Sequence, residues 1–344
     1  MRAIVITAPG GPEVLELREV DEPTPGPGQV RIQVAATAVN RADLMQRAGQ
    51  YPAPLGAPSD IPGLEYAGEV ESLGPGVTRW KVGDRVMGLV GGGAYAERLV
   101  AHEREVAPVP AGMKLTEAAA LPEALLTAWD AIVTRGRLGA GDRLLVHAVA
   151  SGVGTAATQI GRALGAHAIG TSRSAAKLDR CKPLGLDQGV VVGSPVVFAD
   201  EVKKLTGGRG VDVVLDLVGG DYVPESLAAC ASRARLILVG LTGGRKASLD
   251  LGLILSKRLE IVGTVMRARP LEEKIDAAQL LTSRLVPLVE QGRLAPVIDR
   301  VMPLAEAADA HRYLASNDSF GKVVLTVGLA NPTHPPPDAA GGGV

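Results

Sequence analysis

The chain has 344 residues, which at about 150 residues per domain suggests two domains, and its 46% apolar and 21% charged content is that of a protein with large buried cores. Lys and Arg number 36 against 37 Asp and Glu, so no excess of positive charge favours nucleic acid or an anionic membrane as partner. Two Trp, five Tyr and two Phe are too few for a base-stacking surface.

The opening MRAIVITAPGGPE has no basic n-region or apolar h-region and does not read as a signal peptide. Up to about residue 115 short β segments follow one another: Ala3–Ile6, Gln29–Val34, Glu69–Glu71 and Asp84–Met87. Pro- and Gly-rich separators such as DEPTPGPGQ and SLGPGV lie between them, a spacing that predicts an irregular β-rich barrel or sandwich. Thr116 to about Arg135 then has helical periodicity.

After Gly141-Asp142 the texture changes. Strands at Leu144–Ala148, Ala168–Gly170, Val211–Leu215, Leu236–Val239 and Leu259–Val262 alternate with helices predicted near 153–165, 174–182, 197–206, 222–230 and 250–257. Runs of Val, Ile and Leu without polar alternation mean strands buried on both faces, hence a doubly wound α/β unit with a parallel sheet. The longest uncharged stretch, Leu144–Gly161, is broken by Gly, Ser, Thr, Gln and His, so it reads as strand and turn and not as a membrane span. Glu272 to Val327 holds two amphipathic helices and a last strand, Lys322–Val327. It is too short for a domain and is expected to return and complete the first. The expected division is 1–124, 125–266, the return segment 267–328, and a Pro- and Gly-rich tail, 329–344, expected to be disordered. Cys181 and Cys230 form neither CxxC nor metal-ligand spacing, which suits a reduced, cytoplasmic protein.

The first α/β strand leads into Ser151-Gly-Val-Gly154-Thr-Ala-Ala157 and then a helix. Gly152, Gly154 and Ala157 match G-x-G-x-x-G/A in a strand–loop–helix setting. There the first glycine turns the chain, the second lets backbone approach a pyrophosphate, and the helix N-terminus supplies N–H groups to phosphate. The end of the next strand decides between the two nicotinamide dinucleotides, because an Asp or Glu there holds the ribose 2′-OH of NAD. This chain has Gly170-Thr-Ser-Arg-Ser-Ala-Ala-Lys177, without an acid. Arg173 can grip a 2′-phosphate with two N–H bonds, and Ser172 and Lys177 supply further donors. The expected cofactor is therefore NADPH. The competing reading makes Arg173 and Lys177 solvated residues at the start of a surface helix.

No His, Cys and acid set has zinc-ligand spacing, and no tyrosine is followed four residues later by lysine. The bland reading suits the scattered histidines, with His147 and His167 in strands predicted to be buried. Oxidation of an unactivated alcohol needs a base or Lewis acid to form alkoxide, and none is apparent in the sequence. A conjugated acceptor needs only orientation and a proton. The residues thus point to a reductase of quinones or activated alkenes.

Several stretches together resemble the zinc-free quinone oxidoreductases of the medium-chain dehydrogenase/reductase superfamily, the branch that includes zeta-crystallin. They are Asn40-Arg-Ala-Asp-Leu-Met-Gln46 with Gly49-Gln-Tyr51, Pro62-Gly-Leu-Glu65, Leu121-Pro-Glu-Ala124, the phosphate loop, and Phe320-Gly-Lys322. The resemblance spans Met1 to about Val327. Zinc-dependent relatives carry Cys where this chain has Asn40 and His within Gly-His-Glu where it has Gly63-Leu-Glu65, and Gly91-Gly-Gly-Ala-Tyr95 stands in place of a four-Cys zinc loop.

The resemblance implies a GroES-like substrate domain and a Rossmann domain with the nicotinamide between them. It also implies that Asn40 and Asp43 lie beside nicotinamide and ribose, Tyr51 faces the substrate, Thr127 sits near the carboxamide and Lys322 near the cofactor. Ser151, Gly152, Val153 and Gly154 would line the pyrophosphate, with Gly219 and Gly240 at the cofactor edge. Asn40 and Asp43 equally read as a helix-capping pair.

Two departures from the family pattern stand out. Ala148 and Ser151 replace the first two glycines of its Gly-x-x-Gly-x-x-Gly, and Gly189-Val-Val-Val-Gly193 lacks its tyrosine near the adenosine phosphate. The main alternatives are reduction of enoyl thioesters or other α,β-unsaturated carbonyls, and a non-catalytic NADPH-binding protein. Ala234–Val239 and Leu259–Val265, late in the sheet, are expected to leave an edge for a homodimer.

Overall fold

A six-stranded, all-parallel sheet organises the second half of the computed structural model, which describes residues 1–328. Its order is Leu186–Val191, His167–Ser172, Arg143–Val146, Val211–Asp216, Cys230–Leu238 and Glu260–Gly263. The chain starts in the middle, winds to one edge, and crosses back beside its first strand. That reversal leaves a crevice at the C-terminal ends of the central strands, where such sheets take ligands. Leu144, Leu145 and Val146 have no exposed surface, nor do Val213, Val214 and Leu215, as uninterrupted apolar runs demand. Helices Gly152–Ala163, Ala175–Cys181, Ala199–Leu205, Tyr222–Ala229 and Leu251–Lys257 connect the strands, each within two residues of its predicted span. This is the doubly wound Rossmann arrangement expected from the sequence.

The remaining strands form a seven-stranded mixed sheet and a two-stranded ribbon, the β-rich GroES-like partner. Its spine is Gln29–Val39, which runs antiparallel to Glu65–Leu73 over most of its length. Arg98–His102 flanks the start of this strand and Lys322–Thr326 its end. Lys322–Thr326 also pairs in parallel with Ile298–Pro303. The chain after Gly263 thus returns to this sheet.

Several local expectations need correction. The helix predicted from Thr116 to Arg135 is broken into Leu115–Ala118, Pro122–Trp129 and a wider turn over Asp130–Arg135. Pro122 has no N–H to continue the first piece and opens the second. Strand Ile298–Pro303 was not expected, because its Asp299 and Arg300 break the apolar run. Of the two segments proposed as an edge, Cys230–Leu238 is interior and only Glu260–Gly263 lies at the margin. His147 is fully buried, whereas the His167 ring is mostly exposed at the start of its strand. The tail 329–344 lies outside the described residues. No helix among them is long and apolar enough to cross a membrane.

Candidate active site

The phosphate loop is shaped by its backbone. Ser151 caps helix Gly152–Ala163, its Oγ accepting the Gly154 N–H at 3.1 Å. The Gly152 and Val153 N–H groups are in the first turn, where no intrahelical acceptor exists, so they and the positive helix end face the crevice. Gly154 has a tighter reason for being glycine than ligand approach. A Cβ there would lie 2.6 Å from the carbonyl oxygens of Ala148 and Val149, so its absence lets the helix sit on the strand end. Ala148, which looked harmless at a strand terminus, has φ +49°. This left-handed conformation costs a residue with a Cβ about 1–2 kcal/mol. After allowing for the greater freedom of unfolded glycine, Ala148→Gly is expected to stabilise the protein by about 0.5–1 kcal/mol, measurable by urea denaturation.

A buried polar cluster faces this loop. Lys322 runs across Gly152, where a Cβ would fall 2.4 Å from its Cδ. Its Nζ donates to Asn40 Oδ1 at 2.6 Å and pairs with Glu65 Oε1 at 2.5 Å. Asn40 Nδ2 donates to the same Glu65 oxygen at 3.0 Å and to the Ala38 carbonyl at 3.1 Å. Glu65 Oε2 accepts the Glu123 N–H at 2.8 Å, and the Thr127 hydroxyl donates to Glu123 Oε1 at 3.1 Å. Burial alone would lower the Lys322 pKa, but the carboxylates of Glu65 and Glu123 outweigh it and hold the ammonium above its ordinary value. Burial raises Glu123, with Lys322 pulling the other way and Glu65 adding to the rise.

Asp43 lies behind Asn40. Its Oδ2 accepts the Asn40 N–H at 2.7 Å and the Tyr95 hydroxyl at 3.3 Å, while Oδ1 accepts the Gly63 N–H at 3.2 Å. The capping reading of Asn40 and Asp43 therefore holds on the Asp43 side, while the Asn40 side chain turns to Lys322 and Glu65. Asp43 has no exposed surface, so it reaches a ligand only through Asn40. Burial pushes its carboxyl up to about 7 against the pull of the Asn40 and Gly63 N–H groups, Lys322 and Arg267.

Tyr51 is held from the far side of the crevice. Arg267 follows strand Glu260–Gly263 and sits over the Tyr51 ring, 5.1 Å from its centre. It donates to the Tyr51 carbonyl at 3.1 Å, the Gly91 carbonyl at 2.7 Å and Gln46 Oε1 at 2.5 Å. A single guanidinium thereby ties the parallel-sheet half to the loop that carries Tyr51.

At the expected adenosine end, Ser172 and Arg173 close strand His167–Ser172, and Arg173 is exposed. Lys177 is partly committed elsewhere, its Nζ donating to the Asn317 and Ser319 carbonyls at 2.6 and 2.8 Å. Val192 donates its N–H to the Ser172 carbonyl at 2.9 Å, and its side chain is buried in the core, so it offers this corner no phenol. On the opposite side Gly219, at φ +70°, approaches Gly244, and a Cβ on Gly240 would lie 2.5 Å from the Leu217 carbonyl. Between them Asp216 accepts the Val218 and Gly219 N–H groups through Oδ1, while its buried Oδ2 has no partner among the described residues.

The free helix N–H groups, the orphaned Asp216 oxygen and the glycine-lined walls suit a nicotinamide dinucleotide. Ser151, Gly152, Val153 and Gly154 would hold its phosphates, with Asn40, Thr127, Gly219, Gly240 and Lys322 along the rest of the crevice. Among the described residues no group of three or more His, Cys, Asp or Glu is arranged to hold a metal ion.

Glu65, Glu123, Tyr95, Arg267 and His311 were not singled out as functional from the sequence. Glu65 and Glu123 stand in the quoted Pro-Gly-Leu-Glu and Leu-Pro-Glu-Ala stretches. The lysine expected near the cofactor, which needs a counter-charge, was the signal available for both. Nothing local marks the other three.

Comparison with known proteins agrees with this architecture. The family described as Alcohol dehydrogenase GroES-like domain matches residues 26–111, and Zinc-binding dehydrogenase matches 152–283. A quinone oxidoreductase of Pseudomonas aeruginosa is 37% identical over 94% of this chain and 99% of the relative. A solved NAD-dependent alcohol dehydrogenase superposes with a TM-score of 0.86 at 36% identity, covering 95% of this chain and all of that one. A mycobacterial protein complexed with NADPH gives 0.85 at 32%, over 95% of this chain and all of that one. A 2-haloacrylate reductase gives 0.81 at 30%, with 96% of this chain and all of that one covered.

Proposed function

This chain belongs to the quinone oxidoreductases of the medium-chain dehydrogenase/reductase superfamily, and on that premise we propose that it reduces quinones with NADPH. The carrying observation is that Lys322 lies across the phosphate loop at Gly152 while bonding Asn40. Loop and polar cluster therefore share one crevice. The cofactor supplies the hydride. The chain's part is to bind and orient: the first turn after Ser151 receives phosphate, Asn40 and Thr127 fix the nicotinamide side, and Tyr51, held by Arg267, borders the acceptor. The proton for the reduced oxygen comes from solvent or a hydroxyl, since a quinone accepts hydride without prior activation.

The preference for NADPH rests on Arg173 with Ser172, and on the absence of an acid at that strand end. Arg173→Ala is expected to weaken NADPH binding by about 10- to 100-fold, the worth of a charge-assisted phosphate contact, and to leave NADH unchanged. Anaerobic fluorescence titration with both dinucleotides reads this directly; equal affinities in the unaltered protein would remove the assignment. Steady-state assays with ortho- and para-quinones test the activity, and no NADPH oxidation with any of them would refute it.

A second reading, reduction of α,β-unsaturated carbonyls, is favoured by the likeness to 2-haloacrylate reductase and uses the same crevice. Turnover of enones but not quinones would select it. We also place the protein in the cytoplasm as a homodimer, paired along the open edge of Glu260–Gly263 beside the exposed Leu251 and Leu255. A monomeric mass by light scattering at micromolar concentration would contradict the dimer.

A further inference from the structure

Behind Asp43 a line of buried groups runs away from the crevice with a fixed direction. Tyr95 Oη lies 3.2 Å from His311 Nε2, and His311 Nδ1 lies 3.4 Å from Arg47 Nη1. Tyr95 comes from the loop after Gly93, His311 from helix Ala307–Ser316, and Arg47 ends the helix that begins at Arg41. His311 is fully buried, and burial with Arg47 beside it lowers its pKa to about 3. The ring is neutral.

A guanidinium has donors only, so the lone pair of His311 must be on Nδ1 and its hydrogen on Nε2. His311 therefore donates to Tyr95, and the Tyr95 hydroxyl is left to donate to Asp43. Every group within bonding distance of the Asp43 carboxyl then donates to it: the Asn40 and Gly63 N–H groups and the Tyr95 O–H. Lys322 and Arg267 add positive potential from their own elements, while burial, then Asp43 and Glu65, raise the Tyr95 hydroxyl well above its ordinary value against the pull of Arg47. A protonated Asp43 could donate only to Tyr95 Oη. The Tyr95 hydrogen would then face two donors, unless His311 exchanged tautomer and turned an N–H toward Arg47.

We propose that His311 is a positioning residue: backed by Arg47, it aims the Tyr95 hydroxyl at Asp43, favours the carboxylate form of Asp43 over the protonated one, and so holds Asn40 in place at the crevice. The activity readout of this proposal rests on the reduction assigned above; a second readout does not.

In kcat/KM against pH, the unaltered enzyme is expected to lose activity on the acid side as Asp43 protonates near 7. His311→Leu removes the donor to Tyr95 and should move that limb upward by about one pH unit. Tyr95→Phe, which deletes a single oxygen, should do the same if His311→Leu fails to fold. In His311→Gln the amide oxygen can accept from Arg47 and its N–H can donate to Tyr95, so the original profile should return.

The same ordering is expected without turnover, in thermal unfolding followed from pH 4 to 9. Asp43 has its folded pKa raised from 3.8 to about 7. Its protonation stabilises the fold at low pH, and this contribution is lost as pH rises through the folded value. The loss should extend about one unit higher in His311→Leu and Tyr95→Phe. Identical profiles in all variants, or a Gln variant displaced as far as the Leu one, would overturn the proposal. Separated unfolding profiles in a protein that reduces no quinone would leave it standing and refute the assigned activity instead.

Discussion

Replacing Lys322 by methionine should destabilise the protein by about 3–5 kcal/mol at neutral pH, the cost of leaving a buried carboxylate without its counter-charge. Glu65 has no exposed surface and Lys322 almost none, so water cannot take over the role of the ammonium. Asn40 would lose the partner of its Oδ1, and Glu65 would keep only the N–H groups of Asn40 and Glu123. The pair need not be a net source of stability, because desolvation opposes its attraction. A double variant, Lys322→Met with Glu65→Gln, should therefore recover more than half of the loss. Urea denaturation of both single variants and the double one reads the coupling. A loss below about 1 kcal/mol for Lys322→Met would place the pair in the class of solvated surface bridges.

Gly154→Ala should cost about 3 kcal/mol, the upper range for overpacking, and reduce dinucleotide affinity by at least about tenfold. The added methyl meets the Ala148 and Val149 carbonyl oxygens at 2.6 Å and the Val149 carbonyl carbon at 2.7 Å. Backbone at the end of a central strand cannot step aside, so the helix must lift and carry the Gly152 and Val153 N–H groups with it. Gly152→Ala offers a contrast. Its methyl meets the flexible stem of Lys322, so its stability cost should be smaller and should fall on the Lys322–Asn40 contact. Chemical denaturation and calorimetric titration with NADPH separate the two effects. Equal costs for both substitutions would show that the strand end yields.

The parallel sheet was legible because the runs Leu144–Val146 and Val213–Leu215 at its centre are buried on both faces and carry no polar alternation. The mixed sheet was legible only in pieces. Gln29–Val39 was recognised over its first half, where turn residues bound it, but its extension to Val39 depends on partners more than 280 residues away in sequence. Among site residues, Asn40 and Lys322 could be named in advance, yet their mutual contact could not. The Glu65 carboxylate that holds them reaches both only through the pairing of three strands distant in sequence. Ala148 is the reverse case: its residue type suggested no difficulty, and only the backbone angle discloses strain. His311 looked like an ordinary core histidine, and its direction of hydrogen bonding depends on an arginine on another helix.

The position of Lys322–Thr326 between Ile298–Pro303 and Gln29–Val39 has a consequence for biosynthesis. During translation the inner half of Gln29–Val39 leaves the ribosome long before its central partner. Its unpaired N–H and C=O groups remain open to neighbouring nascent chains until residue 326 has emerged. The same late segment bridges Gly321 to Ser151 and brings Lys322 to Asn40. Closure of the mixed sheet and completion of the crevice are thus one event, set by the emergence of Lys322–Thr326. Ribosome-bound chains halted before residue 322 should need holding by a chaperone and should lack the Lys322–Asn40 wall of the cofactor crevice, even with the parallel sheet fully emerged.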